Sequence, residues 1–516
     1  MTFVLVGTLV AAAGASAPVP PKWLTAHDVS DASADAITPH IAVDDSGTAI
    51  AVWPQVKNSV WTAQAVERPA GGAWSAPQQL SEPASQVEAP QIAVGGSTTV
   101  AVWLRNNGKN LIVQAAERSA KSGSWSPAAS LSLNGQDALL PSVAVDSRGD
   151  AVVVWASVAL SVGWTAQAAY KPAGGAWSQA VPLDKPQAAV GTTDVGIDAA
   201  GNATCVWSST TGVGWRVHAA HGGPNRSWSR DVAISAVDPR TVIAPRVVVE
   251  GTGGATAVWS RTTGRRTSIE MATRRPGTSL WLPVKRLFPT GPGGFLPQIA
   301  VDGRGDGVLL WLTAGQAGDA LVTATRRPGG RWSPPLPLPS GVVGASNPEV
   351  ALDAQGDAVA VWTQQVGGTQ RVLGANLPVG GSSWSTPRAL SKLGGDATTP
   401  QVALDGAGDG AATWARSEGG TFVVQIAGFD AVGPALLGLT MPSSGTVGQR
   451  LTFSVSPQDV WSSVQRIRWS FGDGSTGSGK LTGHTYRQSG RYPVEVTATD
   501  SVGHVSTARR VIAIAG

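Results

Sequence analysis

Eight tryptophans recur along this 516-residue chain at intervals of 50 to 52 residues, and each ends a run of alternating small and apolar residues. They are Trp53, Trp103, Trp155, Trp207, Trp259, Trp311, Trp362 and Trp414. A second set follows each of the first seven by 21 or 22 residues, at Trp74, Trp125, Trp177, Trp228, Trp281, Trp332 and Trp384. Two sets in constant phase predict a chain built from repeated supersecondary units.

Each repeat has the same internal order of apolar segments and turn residues. A Pro-x-apolar-x-apolar-Asp segment leads to a turn and to a strand that ends in the first Trp. A polar loop, a third strand and a Gly-Gly-x-Trp-Ser-x-Pro segment with a fourth strand follow, as in the sixth repeat from Pro297 through Trp311 to Pro334. Alternation of period two bounded by Gly and Pro indicates strands. Four strands in each of many repeats are typical of β-propeller blades.

The turn between the first two strands carries an aspartate with a glycine three residues later. The pairs are Asp44 and Gly47, Asp146 and Gly149, Asp198 and Gly201, Asp302 and Gly305, Asp353 and Gly356, and Asp405 and Gly408. Aspartate accepts hydrogen bonds from turn backbone, and glycine tolerates the left-handed conformation of such a hairpin loop. The alternative is a ring of calcium ligands. We favour the turn interpretation because it accounts for both residues.

The eighth repeat lacks a fourth strand. After Trp414 the sequence supplies a third strand, from Thr421 to Phe429, but no Trp-Ser segment follows it. Near the other end, residues 22–30 resemble the fourth strands that begin at Trp74 and its equivalents, and no repeat precedes them. We therefore expect the N-terminal strand 22–30 to complete the last blade, which removes open sheet edges. The prediction is an eight-bladed β-propeller over residues 18–433.

Composition and charge agree with an all-β fold and narrow the partners. Gly (64) and Pro (35) are abundant, and charged residues make up 14% against about 25% in average globular proteins, which argues against helix bundles and coiled coils. The first 433 residues hold 30 Lys+Arg and 30 Asp+Glu, whereas those from Pro434 onward hold 8 and 4. No basic face or stripe emerges upstream of Pro434, so we expect no nucleic-acid partner.

The first residues indicate export. Phe3 to Ala13 is an apolar run that is too short to span a bilayer, and small residues after it fit a cleavage site. We predict a signal peptide over residues 1–17, with a buried first strand as the alternative, and a protein that is secreted or held at the cell surface without membrane insertion. The lone Cys205 excludes an internal disulfide, and we interpret it as a small buried residue.

Beyond Pro434 the tryptophan period stops and three other motifs begin. They are Trp469-Ser470-Phe471-Gly472-Asp473-Gly474, then His484-Thr485-Tyr486, then Gly490-Arg491-Tyr492-Pro493-Val494-Glu495-Val496-Thr497-Ala498-Thr499-Asp500. In order and spacing these resemble the polycystic-kidney-disease (PKD) domain family. The resemblance implies an immunoglobulin-like β-sandwich over residues 434–516 that serves as a spacer or an interaction domain. Asp473 and His484 are interpreted as turn and packing residues.

Catalytic and metal-binding patterns are sparse. A sialidase of the retaining type needs a tyrosine nucleophile, and Tyr170 is the only tyrosine outside the C-terminal module. Two carboxylates would serve another glycosidase, and acids outside the repeat pattern are expected in loops between blades: Glu88, Asp137, Asp194, Asp238 and Asp396. His218 and His221 on a strand would point apart and lack a third ligand, so we expect no zinc site and no cofactor.

Binding loops remain as the candidate site. The position two residues after each first-set Trp is polar in all eight repeats, and we expect these residues in loops around the channel mouth. Gln55, Arg105, Arg261, Gln364 and Arg416 are the predicted ligand-binding residues, suited to hydroxyls and carboxylates of a glycan; solvated loop residues are the alternative. We predict a monomeric, non-enzymatic recognition or adhesion protein for an extracellular polysaccharide or a cell-surface protein. A polysaccharide-active glycosidase or lyase is the alternative.

Overall fold

The computed structural model describes residues 19–516 except 134, 160–161, 225–226, 239–243, 264–265, 289–293, 316–317 and 340–343. The predicted signal peptide, residues 1–17, lies outside the described residues. Within them the chain forms 42 strands and no helix, so no helix among them is suited to crossing a membrane. The chain divides into two compact units, Trp23–Asp430 and Ala431–Gly516, and the described residues 19–22 are grouped with the second.

In the described residues of the larger unit, eight antiparallel sheets of four or five strands follow one another. The N-terminal strands and the first four sheets are β1 (Lys22–Trp23), β2 (His27–Asp28); β3 (Asp35–Ala36), β4 (His40–Val43), β5 (Ala49–Lys57), β6 (Val60–Arg68), β7 (Gln78–Gln79); β8 (Val87–Gly95), β9 (Thr98–Asn106), β10 (Leu111–Ser119), β11 (Ala129–Ser130); β12 (Asp137–Val145), β13 (Ala151–Ala159), β14 (Gly163–Lys171), β15 (Val181–Pro182); β16 (Ala189–Ile197), β17 (Ala203–Thr210), β18 (Trp215–Gly222), β19 (Val232–Ala233). The other four are β20 (Arg246–Val249), β21 (Ala255–Thr263), β22 (Arg266–Arg274), β23 (Lys285–Leu287); β24 (Phe295–Val301), β25 (Gly307–Thr313), β26 (Ala320–Arg326), β27 (Leu336–Pro337); β28 (Ala345–Leu352), β29 (Ala358–Val366), β30 (Thr369–Leu377), β31 (Arg388–Ala389); β32 (Ala397–Leu404), β33 (Gly410–Glu418), β34 (Thr421–Asp430).

One strand of every sheet contacts its counterparts in the neighbouring sheets. These first strands are β4, β8, β12, β16, β20, β24, β28 and β32. Each contacts the next in this order, and β32 contacts β4. The first strands therefore form a closed cycle of contacts, and the second, third and fourth strands of each sheet extend away from it.

Apolar side chains fill the space between neighbouring sheets. The first-set tryptophans lie on the second strands, and every one is at most 2% exposed. Around them the second and third strands supply alanine and valine, as with Val154, Ala168 and Trp207 between the third and fourth sheets. Small residues let the sheets approach, and the large indoles fill the remaining volume. Cys205 lies in the same cluster and is fully buried, as expected for a small core residue.

The turns between first and second strands are built by the repeated aspartate. Asp146 Oδ1 accepts the backbone N–H groups of Arg148 and Asp150, each at 2.9 Å. Gly149 has a φ of 94°, which is the left-handed region that favours glycine. The turns at Asp44, Asp198, Asp302, Asp353 and Asp405 have the same pair of bonds. The interpretation of these aspartates as turn residues is confirmed.

Residues after Lys22 lie along β34, the last strand of the larger unit. Strands β1 and β2 both join the sheet of β32, β33 and β34. Leu24 donates its N–H to the carbonyl of Gly428 at 2.8 Å, and the Trp23 ring packs 4.8 Å from that of Phe429. Trp23 is 5% exposed. The start and the end of this unit therefore share one sheet and one apolar contact.

The C-terminal unit contains two sheets. One has the order β35 (Ala435–Thr440), β37 (Arg450–Gln458), β40 (Leu481–Thr485), and the other has the order β36 (Ser444–Thr446), β42 (Val505–Ala515), β41 (Gly490–Asp500), β38 (Val464–Ser470), β39 (Thr476–Ser478). Phe453, Trp469, Phe471 and Tyr486 form the centre of the core. His484 Nε2 lies 2.7 Å from Asp473 Oδ2, and its ring stacks on Phe471 at 4.3 Å. Asp473 and His484 thus hold a turn against the core.

Candidate functional site

The five predicted ligand-binding residues lie in strands, and the expectation of loops was wrong. Each second strand continues past its tryptophan while it stays paired with the third strand. Gln55 pairs with Thr62, Arg105 with Ile112, Arg261 with Ser268, Gln364 with Arg371 and Arg416 with Val423. Backbone pairing with the third strand thus decides where these strands end.

The two glutamines of the predicted set contact the buried tryptophans. The Trp362 indole donates to Gln364 Oε1 at 3.1 Å, and the Trp53 indole lies 3.5 Å from Gln55 Oε1. Gln364 is 7% exposed. Their amide oxygens satisfy indole N–H groups that burial would otherwise leave unpaired.

The three arginines of the set pair with three different carboxylates. Arg105 reaches Glu82 at 3.3 Å, Arg261 reaches Glu270 at 3.2 Å, and Arg416 pairs with Glu418. Glu270 is buried, whereas Glu82 is exposed. These arginines are therefore held in separate sheets and are already compensated by neighbouring charges.

A different set of polar residues comes together on the first strands. Each of them directly follows the proline of the repeat's Pro-x-apolar-x-apolar-Asp segment, except in the fourth repeat, where Thr193 replaces the proline. The residues, which we call the polar ring, are His40, Gln91, Ser142, Asp194, Arg246, Gln298, Glu349 and Gln401. All eight are partly exposed to solvent. Because the first strands contact one another in a closed cycle, the polar ring joins all eight sheets.

A repeated irregularity of the backbone positions the polar ring. The pairing between first and second strands shifts register immediately before Gln91, Ser142, Gln298, Glu349 and Gln401. The residue two before each of these has a left-handed φ between 48° and 52°, at Ala89, Leu140, Leu296, Asn347 and Thr399. Such bulges re-aim side chains and often border functional sites. Non-glycine residues in this region are strained, which gives the repeated geometry a cost of about 1–3 kcal/mol each.

Hydrogen bonds join neighbouring members of the polar ring across the sheets. Arg246 Nε donates to Gln298 Oε1 at 3.2 Å, and Gln298 Nε2 donates to Glu349 Oε1 at 3.1 Å. Gln401 also bonds Glu349. On the other side, Ser142 donates to Asp194 Oδ1 at 3.1 Å. Arg246, Gln298, Glu349 and Gln401 therefore form one hydrogen-bonded chain of a guanidinium, two amides and a carboxylate, and Ser142 and Asp194 form a separate pair.

Two further contacts involve other members of the ring. Gln91 Nε2 lies 3.3 Å from His40 Nε2. The N–H of Val247 donates to Asp194 Oδ2 at 2.8 Å. Each carboxylate of the ring thus accepts at least two hydrogen bonds, so neither is free of partners.

Enclosure by the surrounding sheets perturbs the titration of the ring. Loss of hydration raises the pKa of Glu349 to about 7 and also raises the pKa of Asp194, although Arg246 partly opposes both changes. Loss of hydration and the positive charge of Arg246 lower the pKa of His40 to about 4. At neutral pH the ring therefore holds a neutral imidazole and a carboxyl group near its titration midpoint. Perturbed groups of this kind cluster at functional sites.

The ring was missed by the sequence analysis, although a signal was present. The ring residue is the first x of the Pro-x-apolar-x-apolar-Asp segment. It is polar or charged in every repeat, but the segment was read only for its apolar residues and its Asp. Asp194 was expected in a loop and instead lies on β16 in the ring, and Glu88 and Asp137, also expected in loops, lie on β8 and β12. Asp137, Asp238 and Asp396 accept the backbone N–H groups of Leu111, Thr262 and Gln370, and Glu88 accepts from Gln86. These four acids therefore have local partners.

Comparisons with known proteins separate the two units. The PKD domain family matches residues 432–514. A microbial collagenase of Vibrio alginolyticus is 36% identical over 77 residues, which is 15% of this chain and 10% of that protein. The chain thus spans about a tenth of the length of this curated relative.

Solved structures add likenesses to each unit. The PKD1 domain of the Vibrio cholerae metalloprotease PrtV has 22% identity and a TM-score of 0.15 and covers 16% of this chain and all of that domain. The polysaccharide lyase Uly1 has 9% identity and a TM-score of 0.44 and covers 66% of this chain and 88% of that one. At these scores neither likeness bears on activity. On the family match, residues 432–514 are a PKD domain.

Proposed function

We propose that this protein is a secreted, non-enzymatic recognition or adhesion protein that binds an extracellular glycan. In this proposal the eight sheets are the blades of a β-propeller over residues 18–433, closed by residues 22–30. The PKD domain, residues 434–516, acts as a spacer or second contact. The closed cycle of first strands and the contacts of Trp23 with Phe429 support the closure.

The polar ring is the observation that carries the binding proposal. Sugar hydroxyls both donate and accept, and the ring offers amides, carboxylates, a hydroxyl and a guanidinium that are partly open to solvent. Small-molecule sites use a few fixed polar groups of this kind. Arg246 disfavours a metal cation among these groups by like-charge repulsion. A neutral or weakly acidic saccharide fits this mixture of donors and acceptors.

Binding can be tested with the full chain on an array of bacterial and plant polysaccharides. We expect retention on at least one of them, and at least a tenfold loss of affinity when Gln91→Ala and Gln298→Ala are combined. Gln78→Ala is the matched control, because Gln78 is an exposed residue of β7. Unchanged binding by the double variant would exclude the ring as the site, and retention of none of the polysaccharides would contradict the glycan proposal.

An enzyme remains the second candidate because of one observation. The pKa of Glu349 near 7 suits a group that exchanges protons at neutral pH. The same array fractions should therefore be assayed for released oligosaccharides. Product release by the parent chain that is lost in Glu349→Gln, with binding retained, would favour a glycosidase or lyase over an adhesin.

The five residues predicted from the sequence stay a separate proposal. Arg105 has the most exposed partner carboxylate of the three arginines, Glu82, so a ligand can compete for it. Gln364 and Arg416 are buried, and a ligand would have to displace their present partners. We therefore place these residues second to the polar ring.

A further inference from the structure

A cavity lies between the fourth and fifth sheets, away from the first strands. Its volume is about 760 Å³. The residues that matter for its chemistry are Asp198, Asn202, His221, Gly222, Trp228 and Arg274. It therefore brings a guanidinium, a carboxylate, an imidazole, an amide and an indole to one space.

The cation in this cavity occupies a recurring position of the repeat. In each sheet one residue of the third strand pairs with the second-strand residue that lies four positions before the first-set Trp. In five sheets this third-strand residue is basic: Arg68, Arg118, Lys171, Arg274 and Arg326. Arg118 pairs with Glu67, Lys171 with Glu117 at 2.6 Å, and Arg326 with Glu250 at 2.7 Å. A carboxylate thus compensates the buried cation in three of these sheets.

Arg274 lacks such a carboxylate. Within the described residues it has no carboxylate oxygen within 4 Å, and its bonds go to Thr204 Oγ1 at 3.0 Å, the Gly253 carbonyl at 3.0 Å and the Thr278 carbonyl at 2.7 Å. Its Nε has no acceptor, as in Arg118 and Arg326, but those two carry carboxylates on their terminal nitrogens. Arg274 is 6% exposed, so its charge is buried and only weakly compensated.

One substitution within the repeat explains this difference, and a second one shapes the cavity wall. Strand pairing aligns His221 of the fourth sheet with Glu67 of the first sheet and Glu117 of the second. Loss of hydration and the charge of Arg274 lower the pKa of His221, so the imidazole is neutral at pH 7 and supplies no anion. Gly222 of the fourth sheet is aligned with the basic residues such as Arg274. A Cβ added at Gly222 would lie 2.6 Å from the Trp228 ring. Glycine therefore allows the indole to lie against the backbone at the cavity wall.

The acid of the cavity does not replace the missing partner. Asp198 is the turn residue of the fourth sheet, and its Oδ1 accepts the N–H groups of Ala200 and Asn202 at 2.9 and 2.8 Å. In the fifth sheet the aligned residue is Glu250, whose longer side chain reaches Arg326. Asp198 attracts Arg274 over a longer distance without forming an ion pair.

We propose that this cavity binds a carboxylated sugar, with its carboxylate on Arg274 and its ring against Trp228. Arginine recognises carboxylates through paired N–H donors. Arg274 lines the cavity, and a ligand carboxylate would replace a neutral carbonyl partner of its guanidinium with a charged one, whereas Arg416 already has a carboxylate. The indole offers an apolar face for the sugar ring. Asn202, Asp198 and His221 then face the hydroxyls. This site is separate from the polar ring and does not rest on the function proposed for it.

Titration calorimetry of the full chain with glucuronate tests the site, with glucose and sulfate as comparison ligands. We expect glucuronate to bind, and glucose and sulfate each to bind at least tenfold more weakly. Equal binding of sulfate would overturn the sugar assignment, and no binding of glucuronate would overturn the site.

The decisive variant is His221→Glu, which restores the carboxylate that Glu67 and Glu117 provide in other sheets. It should lose glucuronate binding at least tenfold while the melting temperature stays the same or rises. The matched control is Thr325→Glu, which adds the same charge at the aligned position of β26. Equal loss in both variants, or undiminished binding by His221→Glu, would contradict the proposal. Variants of the polar ring should leave glucuronate binding unchanged, so the proposal for this cavity and the proposal for the polar ring are tested independently.

Discussion

In the larger unit each apolar cluster lies between two neighbouring sheets, whereas in the PKD unit one cluster around Phe453 and Trp469 lies between two sheets. The larger unit uses alanine, valine and the first-set tryptophans, and the PKD unit uses several aromatic rings in one place. In repeat structures each element contacts only its neighbours. The larger unit therefore depends on the contact between its two ends, and the PKD unit depends on individual large side chains.

The largest expected effect is the loss of the N-terminal strands. A chain that begins at Pro39 lacks Trp23 and the backbone bonds of residues 24–29 to β34. We expect it to lose the cooperative melting transition of the larger unit or to aggregate, because a sheet edge is opened. Calorimetry and light scattering measure this. A chain that ends at Asp430 should keep that transition, and melting of the Pro39 chain like the parent would refute closure by this segment.

A core substitution in the PKD unit should have a large but confined effect. Trp469 is 1% exposed, and its indole donates to the Gly479 carbonyl at 3.0 Å. Trp469→Ala should destabilise this unit by about 3–5 kcal/mol through lost contacts and a cavity. Calorimetry should show a lower melting transition for the PKD unit and an unchanged one for the larger unit. A shift of both transitions would mean that the two units do not melt independently.

The pH dependence of the polar ring should give a smaller effect. The folded pKa of Glu349 is raised to about 7 from its model-compound value of 4.5, so the folded state holds the proton more tightly. Its contribution to stability is therefore full below about pH 4.5 and is lost as pH rises through 7. Glu349→Gln should be more stable than the parent above pH 7 by on the order of 1 kcal/mol, reduced because the side chain is partly exposed.

The comparison of parent and Glu349→Gln by urea unfolding from pH 4.5 to 8 isolates this carboxyl group. Asp194, His40 and Arg246 face the same ring and are present in both chains, so the only group removed in the variant is the Glu349 carboxyl. The difference in unfolding free energy should approach zero at the acid end. A difference that does not change with pH would show that Glu349 ionises normally.

The smallest expected effect on stability belongs to Arg105→Ala. Its partner Glu82 is 86% exposed, so loss of this pair should change the unfolding free energy by less than about 0.5 kcal/mol. Arg261 is unsuitable for the same test because it compensates the buried Glu270. If Arg105 contributes to a binding surface, the variant should be retained less on an acidic polysaccharide at low salt. Unchanged retention would remove it from the set of binding residues.

Several features were readable from the chain because they depend on local chemistry. The Asp-x-x-Gly spacing predicted turns whose bonds lie within five residues, and alternation predicted the strands. The motifs of the C-terminal unit identified the PKD domain. The ends of the second strands were predicted less well, because pairing with the third strand carries residues such as Gln364 and Arg416 beyond the expected loop boundary.

The sequence by itself determined the repeat, its strands, its turns and the PKD domain, since each of these arises from residues close together in the chain. Only the tertiary structure decided that Arg246, Gln298 and Glu349 form one network, because they come from repeats about 50 residues apart and meet only where first strands contact one another. It also decided that Arg274 lacks the carboxylate that Arg118 has. A charge is compensated by whatever lies beside it in space, and for Arg118 a neighbouring sheet, not a neighbouring residue, supplies that partner.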